Sequence, residues 1–140
     1  MSKHKFSPED QDFLLQFEAF RVPPVEFDHR AHVRLAYIYL CDHSADQASE
    51  LMKQSLLGFL DHLGVGESKF HETLTRSWIL AVDHFMQKTA PCIAAAEFID
   101  RNSALLDTKI MLSHYSAELL FSDHARAQFI EPDLEGIPEY

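Results

Sequence analysis

At 140 residues the chain is sized for one domain and is long enough to bury an apolar core without disulfide or metal staples. Its 22 Asp and Glu against 12 Lys and Arg leave a formal charge of −10, which argues against nucleic-acid and anionic-membrane partners. Eleven Phe against four Gly and six Pro, set among Leu, Ala, Gln and Glu, point to a helical chain with few loops.

In chain order, Ser7 is expected to cap a first helix, with Pro8 at the first helical position and Glu9 and Asp10 at the positive end of the dipole. Phe13, Leu14, Phe17 and Phe20 form its apolar stripe, which stops before Val22-Pro23-Pro24. A second helix is predicted from about Asp28 to Cys41, capped by Asp28 and apolar around most of its circumference, hence buried. A third spans Ala45–Leu63, with Ser44 and Gln47 as a capping box, a strong stripe from Ala48 to Leu63, and Gly64 as its stop. Gly64–Lys69 reads as a loop.

A fourth helix is expected from about His71 to Lys88, with Leu74, Trp78, Val82 and Phe85 on its inner face and His71 and Thr75 extending that face. A fifth should run from about Cys92 to Arg101. Leu105–Tyr115 reads as another helix, and Ser116–Phe129 as one or two short ones. From residue 130 to 140 a tail with Pro and Gly is expected to be extended. Neither strand alternation nor a hairpin signal is visible. The fold class is therefore all-α: a single helical bundle of five to seven helices occupying residues 1–140.

The nine histidines are the compositional oddity, because imidazole is neutral near pH 7 and chemically versatile. His29 and His32 lie three apart at a helix start, roughly 5–6 Å between Cβ atoms, a spacing that presents two rings to one ion. A metal needs more ligands, and His71, at the mouth of another buried helix, is the best third. The bland alternative is that His29 and His32 are ordinary helix-start residues, one packed and hydrogen-bonded to a carbonyl, the other partly exposed to water. His71-Glu72-Thr73-Leu74-Thr75 begins like a zinc-protease helix motif but carries Thr75 where the second histidine belongs, so that enzyme class is not supported. Glu26-Phe27-Asp28-His29 offers one half of a di-iron pattern that requires two.

Thr73 is expected to bond locally to its own helix, whereas Thr75 faces the pocket. Arg34 and Arg76 sit on helices with few exposed faces to spare, and either one, if it points inward, should pair with a carboxylate or hold an anionic ligand; Arg30 is expected to form a surface ion pair. His4 and His43 read as terminus and loop residues, and His62, His84, His114 and His124 as scattered surface or structural ones. No nucleophile elbow, phosphate-binding loop or dinucleotide fingerprint occurs. Cys41 and Cys92 have no metal-type spacing and read as reduced core thiols of a cytoplasmic protein, with a disulfide between them left open. No signal peptide is expected, since no apolar run follows Lys3 and Lys5.

Phe27–His32, Phe70–Thr73, Leu120-Phe121-Ser122 and Glu131–Leu134 together resemble a group of small bacterial all-helical proteins that share Phe-x-His-x-x-His, Tyr or Phe-His-Glu-Thr, and Glu-Pro-Asp-Leu. The resemblance implies one helical domain whose histidine pairings are a shared feature, and it places His29, His32 and His71 in one site.

Two functional expectations follow. In the first, a histidine-lined pocket binds a divalent metal, zinc or iron, a small-molecule ligand, or both: His29, His32 and His71 hold the ion, Glu72 acts as general base, and Thr75 and Arg34 orient the ligand. Whether such a pocket would be catalytic is left open. In the second, the chain is a non-catalytic interaction domain with structural histidines.

Overall fold

A computed structural model describes residues 3–66 and 69–137; Glu67 and Ser68 of the expected loop and residues 138–140 of the expected tail lie outside the described residues. The described chain is all helical, with no strand. Helix α1, Pro8–Glu18, begins as expected: Asp10 donates its N–H to the Ser7 hydroxyl at 3.1 Å, and the Ser7 N–H returns to the Asp10 carboxylate at 3.0 Å. That carboxylate also accepts the Ala95 N–H at 2.9 Å and the Arg34 Nε–H at 2.8 Å. One buried residue thus ties α1 to α2 (His29–Asp42) and to the start of α5 (Ala95–Arg101).

The stripe of α1 is only partly as expected. Phe17 is fully buried and packs with Phe27 and Phe59, its ring centroid 4.5 and 5.0 Å from theirs. Phe20 lies past the helix end, in left-handed backbone at φ 61°, and stacks on His62 instead of entering that cluster. Its ring lies close over Gly58, where an added Cβ would approach to 3.1 Å.

Helix α2 is the centre of the fold. Asp28 caps it through the Ala31 N–H, and every residue from Leu35 to Cys41 is buried, as its all-round apolar pattern requires. It packs against α3 (Ala45–Leu63) and α4 (Glu72–Lys88), which also pack on each other. Two residues join α2 to α3, so the two form a helical hairpin. Gly64, at φ 74°, closes α3 in the left-handed turn read from the sequence. No helix among the described residues is long and apolar enough to cross a membrane.

The last third departs from expectation. The fifth helix starts at Ala95 instead of Cys92, because the Cys92 N–H is drawn to His4 and the Ile93 N–H to Glu97. Leu105–Tyr115 is not one helix but two stretches of 3-10 turn, Ser103–Leu106 and Thr108–Ser113. Asp107 separates them: its backbone is extended, and its side chain accepts the Lys109 N–H. Two short helices follow, α6 (Ala117–Leu120) and α7 (Asp123–Ala127), capped by Ser116 and Ser122. Without long helices, this region leaves many main-chain groups to be bonded from elsewhere.

Burial pushes the Asp10 carboxyl up, but the Ala95 and Ser7 N–H groups and Arg34 outweigh it and hold the group below its usual value of 3.8. A depressed acid stabilises the fold above the unfolded value, and that contribution is lost as pH falls through the folded one. Asp10→Asn is therefore expected to lower the unfolding free energy at pH 7 by about 2–4 kcal/mol. Urea titrations should show the gap between variant and native protein narrowing below about pH 3.8.

Candidate functional site

Histidine is the expected carrier of chemistry, so the environment of the imidazoles decides the site. His71 is the N-cap of α4. Its Nδ1 accepts the Leu74 N–H at 3.1 Å, which places its proton on Nε2, and Nε2 donates to the Leu120 carbonyl at 2.7 Å. Both nitrogens are occupied by main chain, leaving no lone pair for a metal. His4, read as a terminus residue, is in fact buried and repeats the arrangement: the Cys92 N–H donates to Nδ1 at 3.0 Å and Nε2 donates to the Met86 carbonyl at 2.8 Å. His29 donates from Nε2 to the Leu105 carbonyl at 2.8 Å, and His114 from Nδ1 to the Glu135 carbonyl at 2.7 Å. In each case the ring bonds a segment distant in sequence.

His29 and His32 are neighbours, with ring centroids 6.4 Å apart, and His29 packs edge-on against Trp78 of α4 at 4.5 Å. His32 stands against Phe27 and finds no hydrogen-bond partner among the described residues. Burial, and next the charge on His29, push its pKa down to about 4, so its ring is neutral throughout the physiological range. The expected three-imidazole centre is not assembled. Among the described residues no set of three or more His, Cys, Asp and Glu is placed to share an ion. His71 drops out because capping a helix and meeting a carbonyl use its whole bonding capacity.

The other residues expected at the site have partners of their own. Glu72, in the first turn of α4, forms an ion pair with Lys53 of α3 at 3.2 Å. Arg34 is directed inward onto Asp10, its guanidinium 4.4 Å above the Phe13 ring. Thr75 is buried on α4, and Arg30 forms the expected surface pair, with Asp100 at 3.6 Å. Thr73, expected to bond within its own helix, is fully buried. It donates to the Gln128 carbonyl at 3.0 Å and accepts the Ile130 N–H at 3.1 Å, clasping the tail. Cys41 and Cys92 are buried free thiols; burial first of all raises both, Cys41 to about 12, which leaves it inert at neutral pH.

A groove that no motif in the sequence announces completes the picture. It lies between α1 and the first half of α2, encloses about 470 Å³, and is lined on one side by Glu9, Asp12 and Phe13 and on the other by Arg30, Ala31 and Arg34. The connection over residues 21–28 closes it with Arg21, Val22, Pro23, Glu26 and Asp28. The available signal was the recurrence of Arg21, Arg30 and Arg34, three of the chain's six arginines, within fourteen positions of an acidic chain. Comparison with protein families, with characterised proteins and with solved structures finds no match for the chain.

The lowered pKa values of His32 and His71 have a stability consequence; burial is the first cause in both, followed by the charge on His29 for His32, while the carbonyl of Leu120 partly opposes it for His71. An unfolded histidine titrates near 6.5. Below that pH the unfolded chain binds protons that the folded chain refuses, so stability is complete above 6.5 and falls as pH drops toward the folded value, about 4 for His32. Chemical denaturation at pH 7.5, 5.5 and 4.5 should show this decline, and a His32→Gln variant should show a shallower one.

Proposed function

We propose that the chain is a non-catalytic interaction domain in which histidine serves the architecture. The observation that carries this reading is the fate of the imidazoles: His4, His29, His71 and His114 each donate to a main-chain carbonyl. Glu72, the residue expected as a base, is engaged with Lys53 in an ion pair that joins α3 and α4. The inert buried thiols are consistent with a reducing compartment such as the cytoplasm.

The adjacency of His29 and His32 favours a second reading, in which this pair holds a divalent ion such as zinc or iron. His32 would offer a neutral ring, and the remaining ligands would come from solvent or a bound molecule. Two imidazoles are a sparse set for zinc, whose protein sites usually supply three or four ligands, and this places the reading second.

Elemental analysis of untagged protein separates the two. The interaction-domain reading expects metal far below one equivalent and no thermal shift on adding zinc. It also expects the His29→Ala, His32→Ala double variant to differ only by the stability lost with the His29–Leu105 bond, about 1–3 kcal/mol. Near-stoichiometric metal in the native protein, absent from the double variant, would establish the metal reading in its place.

A further inference from the structure

The groove between α1 and α2 holds charges of both signs that do not neutralise one another. Among the described residues, Arg21, Glu9, Asp12 and Glu26 line the same cavity yet make no ion pair. Arg34 is fixed by its Nε bond to Asp10 and by the face of Phe13, so its two terminal amino groups remain for a planar anion. Arg30 is held only by an exposed pair at 3.6 Å, an interaction weak enough to exchange for a ligand. Three guanidinium groups oppose a simple cation, and four carboxylates oppose a polyanion. Val22, Pro23 and Phe13 add apolar surface between them, and a cavity of about 470 Å³ lies within the range of small-ligand sites.

We propose that this groove binds a zwitterion, an amino acid or a short peptide, with its carboxylate on Arg21 and Arg34 and its ammonium on Glu26 and Asp12. The proposal rests on the reading of the chain as a binding domain and gives that domain a site and a ligand class. The two carboxylates hold the ammonium without a proton transfer, and the ligand leaves unchanged.

The test is an amide NMR titration of the full chain with L-leucine and with the tripeptide Ala-Leu-Ala. Each probe is compared with its N-acetylated and C-amidated forms. Saturable shifts are expected in α1, α2 and the connection between them, with affinity reduced about tenfold by either blocking group. Arg21→Gln and Glu26→Gln change exposed side chains and should preserve the fold. Each should weaken the free-ended probe severalfold, and Arg21→Gln should reduce the preference for a free carboxylate. A tighter tripeptide would identify the source as a peptide, and equal or tighter leucine would identify it as an amino acid; either supports the proposal. Absence of saturable shifts with both probes, equal binding of the blocked forms, or unchanged affinity in both variants would overturn it. Mass spectrometry of the same samples keeps the two readings apart. Cleaved peptide would overturn the non-catalytic reading whatever the shifts show, and absence of binding with the peptide intact would remove the groove alone.

Discussion

The constraint on which the rest of this structure depends is the need to satisfy main-chain groups where helix is absent. Among the described residues beyond Arg101 there are only 3-10 turns and helices of four and five residues, so the carbonyls of this region cannot all be bonded locally. Side-chain donors meet them, three from earlier in the chain and one, Tyr115, from the region itself. His29 reaches Leu105, His71 reaches Leu120, Thr73 reaches Gln128 and Tyr115 reaches Ile130. A buried carbonyl left without such a partner would destabilise the fold by about 1–3 kcal/mol, comparable with the loss of a well-packed side chain. Imidazole suits this role because it is rigid, neutral at physiological pH and able to donate and accept at once. At His71 and at His4 a single ring satisfies an N–H from one segment and a carbonyl from another.

Asp10 performs the complementary task for orphan donors. Its carboxylate gathers two orphan N–H groups at helix starts, those of Ser7 and Ala95, and compensates the charge of Arg34. A lone buried carboxylate is unfavourable; this one is stable because each oxygen has a donor. The arrangement also determines what Arg34 can do. Held at Nε and stacked on Phe13, it presents one edge in a fixed direction, whereas an unconstrained arginine would have to be ordered by each ligand it met.

The long helices were legible in the sequence because local signals and burial agree there. Ser7, Asp28, Ser44 and Gly64 mark boundaries by their own chemistry, and the all-round apolar pattern of α2 follows from its central place. The end of the chain was not legible, because Leu105–Tyr115 has helical spacing while Asp107 offers a competing bond to the Lys109 N–H, and spacing alone cannot rank the two. For the histidines the sequence left two roles open, ion ligand or structural donor, and could not rank them. A ring at a helix start looks the same in sequence whether its partner is an ion or a carbonyl dozens of residues away; only the fold supplies Leu105 and Leu120.

The groove shows the same limit from the opposite side. Its arginines and carboxylates have no motif spacing, since they come from α1, an irregular connection and α2, and each alone reads as a solvated surface charge. What distinguishes them is that opposite charges share a cavity without forming ion pairs, although Arg30 pairs outside it with Asp100 and Arg34 beneath it with Asp10. In water such charges are screened and the arrangement is inexpensive. A ligand that displaced that water would meet both signs at reduced dielectric, and it would gain from the separation only by carrying both signs itself. In this fold His29 and His71, the residues most suggestive of chemistry, bond the backbone, whereas the charges that share the groove carry no motif at all.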